Sequence, residues 1–350
     1  MANLDHLIWS CTRAYNEKCS FYLGDGKPHP MELNTEEAKQ LLQKVKDYGV
    51  DNFFITGAGI TGEPLIRKDF LELINHCNEL GLSPYVKITG EIFSSEIAEK
   101  FKDTVAMVII TLAGPKDIDI KLRGDGIYEK SIKAAKICAK KDIPFAISFV
   151  NTKYLVNRIK EIVYLSKELG ARSFHFASLI PQPICRSEQR DVLGPLEPSP
   201  LERDQELNQI YDLSKELGDK ISLVPYDMFY NRILKTKEPT LNLKTTCSAC
   251  NNLESNDWLE ILDDGTIYAC GPLNLSLGNI KKDNLTEIWT NLRKSKFLNM
   301  LADRNNLKGK CGLCEYKSIC GGCRARALFI TGSAFNSDPA CPYIPKELKN

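Results

Sequence analysis

The stretch Val105–Thr111, VAMVIIT, is an almost continuous apolar run, of the kind that forms a strand covered on both faces in a parallel sheet. Its surroundings repeat the theme. Upstream come LIWSC (Leu7–Cys11), the helical pattern TEEAKQLLQKVKDYG, VDNFFIT, KDFLELINHCNELG, PYVKIT and SSEIAEKFKD. Downstream follow YEKSIKAAKICAKK, PFAISFV, LVNRIKEIVYLSKELG and RSFHFASL. The first helix has a cap at Asn34 or Thr35 and sets Ala38, Leu41, Leu42 and Val45 on one face, the spacing of an amphipathic helix. Six β/α repeats imply an α/β fold, either a doubly wound sheet or a barrel. Residues from Ile180 to about Pro200 are rich in Pro and polar side chains and read as a linker or loop, followed by the helix LERDQELNQIYDLSKELG.

After this helix the pattern changes to short strands and cysteines. Eight of the 13 cysteines are Cys247, Cys250, Cys270, Cys311, Cys314, Cys320, Cys323 and Cys341. Thiolate is a natural ligand for iron and zinc, and close pairs in short turns place two sulfurs on one centre. Eight thiolates suit two 4Fe–4S clusters, two all-cysteine zinc sites or four disulfides. The stretch MANLDHLIWSCTRAYNEKC has no basic region followed by an apolar one, so a secretory signal is not expected. No apolar run reaches the ~18 residues of a membrane span. A cytoplasmic chain with an odd number of cysteines favours metal over disulfides. With 46 Lys+Arg against 45 Asp+Glu, no global field attracts nucleic acid or an anionic membrane.

Several motifs together resemble the radical S-adenosylmethionine (SAM) enzymes. LIWSCTRAYNEKCSFYLG is similar to their first strand and cluster loop, GEPLIRKDF to their methionine-binding segment, and TLAGP…LRGDG…YEKSIKAAK to their fourth repeat. The stretch Cys247 to Cys341 resembles the SPASM extension that carries auxiliary iron–sulfur clusters. LGNIKKDNLTEIWTN followed by CGLCEYKSICGGCRARA…DPACPY is similar to the branch that modifies tetrapyrrole side chains. The resemblance implies an α/β fold, a partial parallel (β/α)6 TIM-like barrel followed by a small cysteine-rich α+β SPASM module. The expected boundaries are 1–180 for the barrel, 181–239 for a linker and helical segment, and 240–350 for the SPASM-like domain.

The resemblance also implies site residues. The family's three radical-cluster cysteines fall at Tyr15, Cys19 and Tyr22, so only the middle thiol remains. SAM, where retained, would meet Thr61, Gly62, Glu63, Pro64, Thr111 and Ser148. The family's Gly-Gly-Glu-Pro is here Thr61-Gly62-Glu63-Pro64, preceded by a GAGI extension, and its Ser-Leu-Asp-Gly is Thr111-Leu112-Ala113-Gly114. Three thiolates leave the fourth iron open for SAM, so these changes imply that reductive SAM cleavage, and with it a third cluster, is altered or lost. Carried over by position, Cys247, Cys250, Cys270 and Cys323 hold one auxiliary 4Fe–4S cluster, and Cys311, Cys314, Cys320 and Cys341 the second. The pair Gly321-Gly322 would let backbone N–H groups approach the sulfurs.

Two function classes follow. The first is an enzyme acting on a tetrapyrrole or peptide, supplied by an electron donor such as a ferredoxin or flavodoxin. The second is a non-catalytic two-cluster electron-transfer or scaffold subunit beside an intact radical SAM partner. A zinc-stapled binding protein is a third alternative. Cys11, Cys77 and Cys138 read as core and Cys185 as a loop residue. None of His6, His29, His76 and His175 has ligand spacing, but His175 alternates on a strand so as to face the lumen or the core. Arg123, Arg324 and Arg326 read as carboxylate binders or as surface ion pairs.

Overall fold

The computed structural model describes residues 4, 6–15, 19–20, 26–57, 62–180, 194–243 and 258–349. Its strands are β1 (His6–Ser10), β2 (Asn52–Thr56), β3 (Tyr85–Ile88), β4 (Met107–Leu112), β5 (Phe145–Asn151), β6 (Ser173–Ser178), β7 (Ser222–Tyr226), β8 (Trp258–Ile261), β9 (Thr266–Tyr268) and β10 (Ser276–Asn279). They form one sheet in the order β10-β9-β8-β1-β2-β3-β4-β5-β6-β7. Pairing is parallel from β8 through β7, and β9 and β10 add an antiparallel edge.

The intervening helices include α1 (Thr35–Tyr48), α2 (Phe70–Glu79), α3 (Ser95–Phe101), α4 (Lys116–Arg123), α5 (Ile127–Lys140), α6 (Ile159–Glu168), α7 (Pro200–Leu217) and α8 (Phe229–Lys237). Helix α1 starts at Asn34 through a capping box, in which Asn34 Oδ1 accepts from Glu37 N–H and Glu37 Oε2 accepts from Asn34 N–H, each at 3.0 Å. Its Ala38, Leu41, Leu42 and Val45 are buried as the periodicity requires. The period of two along the strands sends Trp9, Ile55, Val86, Ile110, Phe149 and Phe174 under the helices, all essentially inaccessible. Burying each such side chain contributes about 1.5–3 kcal/mol.

Two features exceed the sequence reading. The segment expected as linker and helix contains α7, which packs on α6 and β7, and β7 itself is a seventh parallel strand. In addition, β8 pairs with β1 in parallel register, His6 opposite Trp258 and Ile8 opposite Glu260, so the cysteine-rich region continues the barrel sheet. No helix among the described residues is long and apolar enough to cross a membrane.

Candidate functional site

The mouth of the barrel collects the loops that follow the strands' C-terminal ends. After β1 the backbone is held from several sides. Cys11 N–H donates to Thr56 O (2.8 Å), Tyr15 N–H to Gly26 O (3.0 Å) and Ser20 N–H to Leu122 O (2.8 Å). Arg67, nearly buried, donates to Cys11 O (2.9 Å), Leu33 O (3.0 Å), Glu32 and Asp69, and its guanidinium lies 5.6 Å from the Trp9 ring centroid. Arg13 makes a two-pronged pair with buried Asp263, at 2.6 and 2.8 Å, which ties this loop to the turn after β8. Tyr15 and Cys19 are both buried in this segment, whereas Tyr22 lies outside the described residues. Cys11 is fully buried and desolvation pushes its thiol far above the usual range, as suits a core residue. Cys77 and Cys138 are likewise fully buried on helix faces.

Of the residues expected to meet SAM, Thr61 lies outside the described residues. Gly57 and Gly62 lie back to back. A Cβ on Gly57 would lie 1.9 Å from the Gly62 carbonyl, so only glycine fits. The Glu63 carboxylate, fully buried, accepts from Thr89 N–H and Thr89 Oγ1–H (2.6 Å each) and from Leu65 N–H (3.1 Å). Glu63 N–H donates to Ala14 O at 2.9 Å. Glu63 therefore braces the ends of β2 and β3 against the loop after β1, and Pro64 opens a 3-10 turn behind it. Thr111 and Ser148 face the lumen side by side in register, with His175 next to Ser148 on β6. The Ala113 N–H is held by Asp119 Oδ2 at 2.7 Å, so the carboxylate beside this turn comes from α4.

The three arginines differ from the sequence expectation. Arg123 is buried and donates to Thr111 O (2.9 Å), Asp119 (3.2 Å) and the Ser131 hydroxyl, clamping the ends of β3 and β4. Arg324 is buried against Ala334 O and Asn336 O, and Arg326 pairs with buried Asp338 at 2.9 Å. They are neither surface ion pairs nor open carboxylate receptors, because folding commits each guanidinium to internal acceptors. Cys185 lies outside the described residues.

In the C-terminal region Cys311, Cys314, Cys320 and Cys341 line one cavity, partly open to solvent, together with Arg232, Lys310 and Lys317. Among the described residues no three His, Cys, Asp or Glu stand close enough to hold a single metal ion. Burial raises the thiols of Cys314, Cys320 and Cys341, the last to about 11. Three donors aim at the sulfurs: Gly322 N–H at Cys320 Sγ (3.4 Å), Asp338 N–H at Cys311 Sγ (3.4 Å) and Arg324 Nη2 at Cys311 Sγ (3.6 Å). Gly321 and Gly322 have φ of +67° and +68°. A Cβ on Gly322 would lie 2.7 Å from Asp338 Cβ and 2.9 Å from Arg324 Nη2. The approach of the Gly322 amide to Cys320 Sγ thus requires glycine at this position.

Cys323 does not line this cavity. It caps the helix Arg324–Thr331, which packs on the 3-10 turn Gly271–Leu273 capped by Cys270. Asp338 Oδ2 accepts from Cys323 N–H at 2.7 Å, and Cys323 Sγ accepts from Arg326 N–H at 3.4 Å. Cys247 and Cys250, the other two cysteines expected here, lie outside the described residues.

Asp338, Arg67 and the Arg13–Asp263 pair were not singled out from sequence. Nor was the group of buried Arg203, Asp227 and Glu206 with half-buried Glu197 beyond β5, β6 and β7. There Arg203 pairs with Asp227 at 3.3 Å, Ser178 also donates to Asp227, and Asn151 donates to Glu206 at 2.5 Å. Most of their partners are 12 to 250 residues away in sequence, Arg67–Asp69 and Arg203–Glu197 being closer.

Comparison with known proteins places these features. A family model described as the Radical SAM superfamily matches residues 16–154, and one described as an iron–sulfur cluster-binding domain (SPASM) matches residues 247–315. An AdoMet-dependent heme synthase from Methanosarcina barkeri is 30% identical over 362 residues, covering 99% of this chain and 98% of the relative. The PqqA peptide cyclase of Bradyrhizobium diazoefficiens is 23% identical and covers 90% of this chain and 79% of the relative. The crystal structure of Streptococcus suis SuiB bound to S-adenosylmethionine superposes with a TM-score of 0.74 at 17% identity, over 98% of this chain and 78% of that one. Native anSMEcpe with bound AdoMet gives 0.73 at 18% identity, over 96% and 94%.

Proposed function

From the premise that this chain belongs to the radical SAM superfamily, with a C-terminal SPASM domain, we propose that it keeps its auxiliary iron–sulfur centres while its radical-generating site is altered or lost. The observation that carries the proposal is a contrast within one chain. Four cysteines surround one cavity at the C-terminal end, whereas the loop after β1 has one thiol, Cys19, at three positions where the family has three.

The C-terminal residues fit a 4Fe–4S group. A cubane spaces its ligands around a volume instead of a point, and Cys311, Cys314, Cys320 and Cys341 line a cavity. When bound, such a cluster supplies one-electron storage at a potential set by its surroundings. The Gly322 and Asp338 amides and the Arg324 guanidinium draw electron density from Cys320 and Cys311, which raises that potential. Arg232, Lys310 and Lys317 offset the charge of four thiolates. Cys270 and Cys323, with Cys247 and Cys250, would hold the other auxiliary cluster. The loop after β1 does not fit the three-thiolate pattern, since phenols are harder and bulkier ligands than thiolates.

The substrate class proposed is a tetrapyrrole or a peptide, reached through the barrel mouth, with a ferredoxin- or flavodoxin-type electron donor. Support comes from the relatives, one a heme synthase and another a peptide cyclase. The loss at Tyr15 and Tyr22 also suits a non-catalytic two-cluster subunit beside an intact relative. Iron and sulfide analysis of anaerobically reconstituted protein, with paramagnetic resonance in the presence and absence of SAM, separates the two. About eight irons with spectra indifferent to SAM assigns a two-cluster scaffold. About twelve, with a SAM-shifted signal, assigns a working enzyme and overturns the loss of the radical site. Zinc without sulfide overturns both.

A further inference from the structure

Asp338 stands where the two groups of C-terminal cysteines meet. It is fully buried, and its backbone N–H donates to Cys311 Sγ at 3.4 Å. Its carbonyl accepts from Cys341 N–H at 3.2 Å. Both of these cysteines line the cavity. The side chain reaches the other group. Oδ2 accepts from Cys323 N–H at 2.7 Å, and Cys323 caps the helix that packs on the Cys270 turn. The second oxygen, Oδ1, accepts from Ala340 N–H at 3.0 Å. One residue thus hydrogen-bonds to cysteines of both groups. By contrast, the Gly322 amide and the Arg324 guanidinium donate to Cys320 and Cys311, both on the cavity.

The charge on this side chain is fixed by an ion pair. Arg326 Nη1 lies 2.9 Å from Asp338 Oδ2, with both side chains at most 2% exposed. The same guanidinium also lies in the field of Asp227 and Glu197, and 5.8 Å from the Phe229 ring centroid. The pair therefore sets its negative end at the cysteines and its positive end toward the acidic group after β7.

For stability alone this is a poor place for an anion. Clusters held by thiolates are themselves negative, and like charges repel more strongly where water is excluded. The same repulsion has a redox consequence. Adding an electron to either centre adds negative charge beside a carboxylate that cannot move away, so reduction is disfavoured at both.

We propose that Asp338 is a positioning residue shared by the two auxiliary centres, a single buried charge that holds both reduction potentials down together. Because one charge acts on both, it shifts their common level and largely preserves the step between them. The inference rests on the two-cluster reading above.

The test is a dithionite titration of full-length, cluster-loaded protein in the presence of redox mediators, followed by paramagnetic resonance. Iron and sulfide are measured on the same samples. Wild type is expected to show two reducible centres; one centre, or zinc in place of iron, overturns the two-cluster reading before any variant is made. Asp338→Asn keeps the backbone N–H to Cys311 and is expected to retain its iron. It is expected to favour reduction of both centres about tenfold, which is about 59 mV for a one-electron couple. Asp338→Glu, which keeps the charge, is expected to stay within about twofold of wild type. A shift at one centre only, or at neither, overturns the shared role. A Glu variant that shifts as far as the Asn variant shows that shape and not charge is at work, and overturns it too. If Asp338→Asn loses its iron, Arg326→Gln decides: it removes the cation and leaves the carboxylate, so reduction of both centres is expected to become less favourable. Unchanged potentials in that variant, or loss of iron from it as well, identify a purely structural pair and overturn the proposal.

Discussion

Replacing Gly322 by alanine separates a backbone cost from a packing cost beside the cysteine cavity. Gly322 has φ +68°, and an added Cβ would lie 2.7 Å from Asp338 Cβ and 2.9 Å from Arg324 Nη2. Gly332, at the end of the helix Arg324–Thr331, has φ +78° and nothing within 4 Å of such a Cβ. The left-handed backbone alone costs a residue with a side chain about 1–2 kcal/mol. Overpacking adds about 1–3 kcal/mol. Gly332→Ala is therefore expected to lose about 1–2 kcal/mol and Gly322→Ala about 2–5 kcal/mol. At about 2.1 cal/mol/K per residue, a chain of 350 residues converts 1 kcal/mol into about 1.4 °C. The expected falls in apparent Tm are thus about 1–3 °C for Gly332→Ala and about 3–7 °C for Gly322→Ala. Calorimetry of anaerobic, iron-loaded protein reads both, and iron content is measured on the same samples. Gly322→Ala is also expected to retain less iron, because its amide donor to Cys320 Sγ is displaced. Equal destabilisation of the two variants with unchanged iron would refute the assignment of a steric role to this turn.

Further outcomes follow from other sites. The Tyr15→Cys, Tyr22→Cys double variant is expected to gain about four irons and to cleave SAM; no gain would mean the loop itself is remodelled. Cys320→Ser is expected to lose about four irons while leaving the other auxiliary centre's resonance in place. Burial raises Glu206 to about 7 against 4.5 for an ordinary glutamate. A raised folded pKa means that stability is fully present below about pH 4.5 and lost as pH rises through about 7, by roughly 3 kcal/mol. Glu206→Gln is expected to flatten that pH dependence of Tm between pH 5 and 8, and parallel profiles for variant and wild type would contradict the assignment. Asp263→Ala removes both acceptors of Arg13 and is expected to cost about 1.5–3 kcal/mol, read by urea unfolding.

The repeats up to β6 were legible because each strand is buried on at least one face and each helix keeps a 3.6-residue stripe, as Val105–Thr111 and Ala38–Val45 illustrate. Strand β7 was not. It is the sheet's edge, its residues are half-exposed or exposed, and Pro225 lies within it, which edge strands tolerate but which reads as a break. The pairing of β8 with β1 joins residues some 250 positions apart, and no local pattern encodes that. At the candidate site, cysteine spacing singled out residues of which four line one cavity, whereas the commitments of Arg123, Glu63 and Asp338 depend on burial. Asp119 and Arg123, four residues apart on one helix face, were the available hint.

The join between β1 and β8 has a mechanical consequence. A ladder of backbone hydrogen bonds runs from the strand before Cys11 to the strand before the Asp263 turn, and Arg13–Asp263 bolts the far end. Modules on a flexible tether sample many separations, and transfer between them waits for encounters. Here the turn that leads to Cys270 and the loop that holds Cys19 are mounted on adjacent rungs of one stiff lattice. The distance between these two ends is therefore set once, at folding, and does not vary with the swing of a linker.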